Sequence, residues 1–465
     1  MPSASADHDP VTYRPQKAGA VDRSSSIVGR LDLTEILIAV LLVLGFSLGP
    51  LKLLGVAWVS YLAPDGLAML IVIVAAAKRL MARKPVFAAS PMSVPVLLLG
   101  GLCILEVANP EAVFIRSILG LRSWLLYLAL YFVGFYSLRS SVQVERLYAL
   151  LLALGFVTAL YGIYQWMAGP QSFASWSEDY GRYAQIMWSG GLFRAFSTFV
   201  LPNTFGSNMA FLMLLALSVA ASPEVRRLWK FLAVLGFAVM GAGIAASGSR
   251  GPVVYLAIAT VLGLFFTRGF SRRLTVGLSA VLMATAAVAL ALFAIGPIVS
   301  GRFMTILDPQ AFFWKWFLPL SNGIQIAHEH PLGMGLGYTA GVPQFLSNRV
   351  FHELPITTID SGYGSAVAEL GFIGLAVFFF FALKVGIEGF RVWRRVPEGR
   401  LRDLLLGPAL MAGAYPIVSV IAQPQASLPS SIYFWLLMGM LMKAPALQRE
   451  LNADQLSSSQ VHARQ

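Results

Sequence analysis

The sequence predicts an all-α polytopic membrane protein of about 12 transmembrane helices, with a large outer loop between helices 9 and 10. Three observations predict it. Of 465 residues, 57% are hydrophobic and only 12% are charged, with mean hydropathy +0.72, whereas a soluble domain is roughly half apolar and about a quarter charged. The apolar residues fall in runs of about 20, the length a helix needs to cross a hydrocarbon core of ~30 Å. Lysine and arginine gather in every second loop, as they do on the cytoplasmic side of a membrane.

In chain order, residues 1–33 have the composition of a disordered arm. About thirty polar residues precede the first span, and no small-residue cleavage site follows it, so that span is expected to remain as an anchor. Apolar runs lie near 34–50, 58–77, 90–107, 121–138, 146–168, 199–221, 229–247, 251–267, 274–296, 361–384, 403–422 and 428–446. The transmembrane domain is therefore 34–447, and 448–465 is a polar tail. The division at 247/251 rests on Gly248, Ser249, Arg250, Gly251 and Pro252 as a helix break. The runs do not alternate as barrel strands would, so helices are expected.

Numbering the loops alternately, one side holds Lys78, Arg79, Arg83 and Lys84, then Arg139 and Arg146, Arg226, Arg227 and Lys230, Arg268, Arg272 and Arg273, and a last group from Lys384 to Arg402. That side is expected to be cytoplasmic, with both termini. The other side holds both long loops, 169–198 and 297–360. The net charge of +12, from 34 Lys and Arg against 22 Asp and Glu, is thus a topology signal and does not indicate nucleic acid. A lone cysteine, Cys103, rules out an intrachain disulfide and a cysteine-based metal site.

The outer loop 297–360 concentrates polar and aromatic residues and is expected to form a lid over a site at the outer face, completed by Arg194 and Arg250. Arg250 in AASGSRGP could be an arginine snorkelling at a helix end, but on the outer side it has no positive-inside reason to exist. A guanidinium flanked by glycines has room to bind a phosphate with two hydrogen bonds. Arg194, in FRAFSTFVLPNTFG, could equally be an interfacial arginine beside aromatics. With Arg250 and Arg302 on the same face, it would complete a cluster able to neutralise a diphosphate. Asp360, where the chain re-enters the membrane, suits a helix N-cap and also a general base at the mouth of a site. His352 is the other candidate base. Glu369 lies nine residues after Asp360, about 13 Å further along a helix, where an ionisable group faces a cavity or a partner.

His328 and His330 are two apart, without the spacing of a helical zinc pair, so no metal is expected. The glycines of GMGLG follow no strand and read as a turn. AFFWKWFLPL is too short to span and suits the interface, with Trp314 and Trp316 as anchors or as a carbohydrate or lipid contact. SNGIQIAHEHP is expected to hold a short helix ending at Pro331.

These residues carry a resemblance. FRAFSTFVLPNTFG, SGSRGP, GRF, IQIAHEHPLGMGLG and DSGYGSAVAELGFIG, in that order from Gly191 to Gly374, resemble the O-antigen ligase and O-antigen polymerase superfamily of bacterial inner-membrane enzymes. The resemblance implies a periplasmic active site and a lipid-linked donor, an undecaprenyl-diphosphate-linked oligosaccharide. An acceptor glycan's hydroxyl would attack the anomeric carbon, with inversion and without cofactor or metal. The diphosphate-binding arginines would be Arg194, Arg250 and Arg302. Where ligases acting on lipid A core carry His-Asn, this chain has Asp360-Ser361, which favours a polymerase of repeat units for O-antigen or exopolysaccharide. A second arginine before the helix leading to the His-Pro pair is absent, with Lys315 as its substitute. The implied partners are membrane lipid, a flippase and a chain-length regulator. Transfer of glycan to lipid A core is the first alternative, and a secondary transporter, which would show inverted halves and broken helices, is the second.

Overall fold

The computed structural model describes residues 32–86, 89–189, 191–266, 301, 303–339, 359–423 and 427–462. Among the described residues, seven helices are long and apolar enough to cross a membrane: Phe114–Ser137, Ser141–Ala168, Pro202–Ala221, Arg227–Ser247, Gly362–Arg395, Arg400–Val418 and Ser430–Arg449. Shorter apolar helices, Leu33–Phe46, Ser93–Ala108 and Arg250–Phe265, accompany them, as does Ala57–Met81. The chain is an all-helical, multi-pass membrane protein. Each expected run falls on one of these helices except the one near 274–296, which lies outside the described residues.

The helix ends follow local chemistry. Ser140 and Gln143 form a reciprocal capping box at the start of Ser141–Ala168, satisfying backbone donors that the first turn leaves open. Pro202 opens the next long helix at a position where its missing N–H costs nothing. Gly248 closes Arg227–Ser247 in the left-handed conformation, φ 57°, and Arg250 begins a new helix immediately after. The break expected at 247/251 is therefore present.

Pro202–Ala221, Leu406–Val418 and Ser430–Arg449 are apolar on all sides and buried along most of their length, so they form the centre of the bundle. Where backbones meet, glycine makes room. A Cβ on Gly439 would sit 2.0 Å from the Tyr131 carbonyl oxygen, and one on Gly134 would sit 2.1 Å from that of Leu436. The two glycines face each other's helix, and the helices touch along their backbones. A buried polar link, Tyr433 Oη to Asn208 Oδ1 at 3.0 Å, ties two of the central helices together.

The connections sort to two ends of this bundle. At one end, Lys78 pairs with Asp32 at 2.6 Å, Arg146 with Glu35 at 3.1 Å and Arg400 with Glu145 at 2.8 Å, while Ser222 donates to Asp403 at 2.8 Å. This is the basic end. Helix Ser141–Ala168, with 28 residues rising about 1.5 Å each, carries the chain to the opposite end. There the described residues between 169 and 198 form a small cap: helices Gln171–Ala174 and Glu178–Ile186, then two short antiparallel strands pairing Trp188 with Phe193 and Ser189 with Leu192. Phe173, Tyr180, Met187, Phe193 and Phe196 form its apolar centre, against Leu53.

The glycine contacts yield a prediction. Gly439→Val should lower the melting temperature of the detergent-solubilised protein, since overpacking a filled contact costs about 1–3 kcal/mol. Gly101→Ala, where nothing lies within 4 Å of the added carbon, should leave it unchanged or raise it.

Candidate functional site

Arg194 is fixed before its side chain is considered. Its own N–H bonds to Met187 O at 3.0 Å, and that of Ala195 to Ala246 O at 3.0 Å. The amide oxygen of Gln165 accepts from both Phe196 N and Ser197 N, each at 2.9 Å. Ser197 takes a positive φ of 54°, and its hydroxyl bonds to the Thr158 carbonyl at 2.5 Å. A tight turn thus leads from the cap into Pro202, and helix Ser141–Ala168 holds it from below.

From that position the guanidinium of Arg194 reaches the break between Arg227–Ser247 and Arg250–Phe266. Its Nε donates to Ser247 O at 3.1 Å, and its Nη2 to Asn203 Oδ1 at 2.8 Å and Ser249 Oγ at 3.0 Å. Ser249 also donates to Asn203 Oδ1 at 3.0 Å. The orphan carbonyl at a helix C-terminus and a small polar net therefore orient a charged group.

Arg250 is the next residue in the same turn and the first of its helix, whose N-terminus carries a partial positive charge. Its Nη1 donates to the Thr305 hydroxyl in the segment after Gly301. Its Nε is buried and has no hydrogen-bond partner among the described residues. Two guanidiniums and a helix N-terminus thus meet at one turn, with an unspent donor. Such an arrangement suits an anion.

The other expected residues are placed as follows. Arg302 and His352 lie outside the described residues. Lys315 falls in the short helix Pro309–Trp316, which Asp308 caps through Gln310 N at 2.9 Å. Trp316 is buried in this helix, whereas Trp314 is exposed. Asp360 is exposed, and among the described residues no hydrogen bond or ion pair joins it to Arg194 or Arg250. The helix N-cap expected at Asp360 belongs instead to Ser361, whose hydroxyl accepts from Gly364 N at 3.0 Å. A serine one residue later reaches the third backbone N–H of the turn, which leaves the carboxylate free for solvent.

Glu369 belongs to a second polar cluster. The helix Gly362–Arg395 is broken at Gly371, with φ 66° and ψ −165°. The turn after His330 fills the break: Met334 N bonds to Ala368 O at 2.9 Å and Phe372 N to Pro331 O at 3.2 Å. A Cβ on Gly371 would sit 2.1 Å from Pro331 O, and one on Gly333 2.5 Å from Glu369 O, so the approach requires glycine on both sides. Gly333, Gly335 and Gly337 all have positive φ, as a turn demands. The short helix expected before it is Leu318–Glu329. Glu369, 2% exposed, accepts from Trp124 Nε1 at 2.8 Å and from Thr339 N and Oγ1 at 2.8 and 2.5 Å. Its partners are not those of Arg194 and Arg250.

No known family model matches the chain, and no curated protein does. The residues that sequence reasoning passed over are Gln165, Asn203, Ser249, Thr305, Trp124 and Arg116. Asn203 and Ser249 stand inside the motifs singled out for Arg194 and Arg250. Arg116 carried a usable signal, because it lies between the third and fourth expected spans on the side poor in basic residues, as Arg250 does.

Gln165→Ala removes the one acceptor shared by Phe196 and Ser197. Loss of a buried hydrogen-bond partner costs about 1–3 kcal/mol, so hydrogen exchange at residues 195–198 should accelerate by roughly 10- to 100-fold, with the central helices unchanged.

Proposed function

We propose that the chain is a polysaccharide polymerase of the bacterial inner membrane, with twelve spans, both termini cytoplasmic and the Arg194–Arg250 end facing the periplasm. The observation that carries this is the pairing of Arg194 and Arg250 on one turn, with the buried Nε of Arg250 lacking a hydrogen-bond partner among the described residues. The motif order from Gly191 to Gly374 supports the same reading.

The reaction asks little else of the protein. An acceptor hydroxyl oxygen attacks the anomeric carbon of the donor sugar as the bond to the undecaprenyl diphosphate oxygen breaks. The electron pair leaves on the diphosphate, and the hydroxyl proton goes to a base, for which Asp360 and His352 are the candidates. Charge grows on the leaving group, so fixed guanidiniums lower the barrier by holding it more tightly in the transition state than in the ground state. The Asp360-Ser361 pair favours polymerisation of repeat units over transfer to lipid A core.

One observation favours a transporter as the second reading. The helix broken at Gly371, with a buried carboxylate beside it, is the kind of feature that transporters place at a substrate site.

Deleting the gene and resolving surface glycans on a gel separates these readings. Single repeat units left on the lipid support a polymerase. Lipid-linked polymer that never reaches lipid A core supports a ligase, and unchanged glycans count against both. Arg250→Lys keeps the charge but loses the planar fork. It should cut polymer formation by about 100-fold, the effect of losing one transition-state donor, with normal protein in the membrane; full activity would remove Arg250 from the donor site.

A further inference from the structure

Arg194 has little left with which to grip a ligand. A guanidinium binds a phosphate through a fork of two nitrogens, Nε with Nη2 or Nη1 with Nη2, and both forks use Nη2. The hydrogens of Nη2 go to Asn203 Oδ1 at 2.8 Å and Ser249 Oγ at 3.0 Å, and Nε donates to Ser247 O at 3.1 Å. Neither fork can close on a phosphate unless the bonds that fix the side chain break. Arg194 therefore brings positive charge to the turn, and hydrogen bonds to an anion must come from beside it.

Asn203 is the neighbour that can supply them. An arginine has no acceptor, so the side-chain atom facing Nη2 must be the amide oxygen. The same oxygen accepts from Ser249 Oγ at 3.0 Å. Two bonds on Oδ1 fix the amide, and among the described residues nothing accepts from its Nδ2. The backbone is held as firmly. Asn203 is the second residue of helix Pro202–Ala221, and a Cβ on Gly206 would sit 2.9 Å from Ser247 Oγ and 2.9 Å from Pro252 Cγ, so this helix start is seated on the Gly248 break. Asn203 is nonetheless exposed, whereas Arg194 and Arg250 are half-buried; the cluster is open to solvent at the amide. We propose that Asn203 is a ligand-binding residue, whose Nδ2 donates to the phosphate oxygens of an anion attracted by Arg194 and Arg250. This deepens the polymerase reading and rests on it for the anion's being the diphosphate of the donor.

The test uses the full chain in nanodiscs, labelled with nitrogen-15 at asparagine and titrated with inorganic pyrophosphate, whose binding is followed independently by phosphorus NMR line width. The Asn203 side-chain amide is the pair of signals missing from Asn203→Ser, or from Asn203→Gln if the serine variant does not fold. These signals should move as pyrophosphate binds and saturate at the same concentration, and the shift should shrink in Arg250→Lys. Asn203→Ser should weaken binding by about tenfold or more, the effect of losing a hydrogen bond to a charged group. Pyrophosphate that binds without moving the amide overturns the proposal and leaves Asn203 as a brace for Arg194. A shift unchanged in Arg250→Lys also overturns it, because the anion would then lie away from the paired arginines. So does the absence of binding to the wild type. The polymerase reading is judged apart from all three, since single repeat units left after gene deletion would support it whichever way the amide behaves.

Discussion

A hydrocarbon interior offers no hydrogen bonds, so every backbone and side-chain polar group within it must find its partner inside the protein. Most of this architecture follows from that constraint. Continuous helices satisfy their own backbones and can pack as closely as side chains allow, which is why Gly134 and Gly439 face one another across a backbone contact. Wherever the chain departs from a continuous helix, another segment arrives to meet the exposed groups. At Gly248 the freed carbonyl of Ser247 accepts from Arg194. At Gly371 the turn from Pro331 to Met334 supplies both a donor and an acceptor. A π turn over Arg122–Leu126 aims Arg122 and Tyr127 at Asp65 and Trp124 at Glu369, on different sides of one helix.

Breaks of this kind are costly, and they collect the polar chemistry of the molecule. The break at Gly248 gathers Arg194, Asn203, Ser249 and Arg250. The break at Gly371 gathers Glu369, Thr339 and Trp124. Neither set could be assembled on an uninterrupted helix, where residues two apart point in different directions. The cap between 169 and 198 serves the first break, since its paired strands and the Gln165 clamp set the path of Arg194 toward Ser247.

The helical architecture was legible because hydrophobic run length and loop charge are summed over many residues, and a single exception does not hide them. The break at Gly248 was legible for a local reason, as glycine, arginine and proline together cannot continue a buried helix. The glycine turn at 333–337 could be read in the same way, from conformations that only glycine adopts freely. Long-range partners were not. Glu369 sits in an ordinary helical pattern, and nothing in its neighbourhood points to Trp124, 245 residues away. The cap at Ser361 was misassigned to Asp360 because both residue types cap helices well, and only the backbone path decides which one reaches the free N–H.

The two clusters differ in a way that sequence spacing alone conceals. At the Gly248 break, two guanidiniums and a helix N-terminus add up to a positive field, and the hydrogen bonds of Arg194 to Asn203, Ser247 and Ser249 and of Arg250 to Thr305 go to neutral groups. At the Gly371 break, three donors hold the buried carboxylate of Glu369, the indole N–H of Trp124 and the N–H and hydroxyl of Thr339, so an incoming anion meets a negative charge there. The proposed polymerase needs a positive site where charge develops on the leaving group, and the Gly248 break is the cluster suited to that need. Under that proposal the buried carboxylate of Glu369 stays off the guanidiniums that would hold the diphosphate, since its hydrogen-bond partners among the described residues are Trp124 and Thr339.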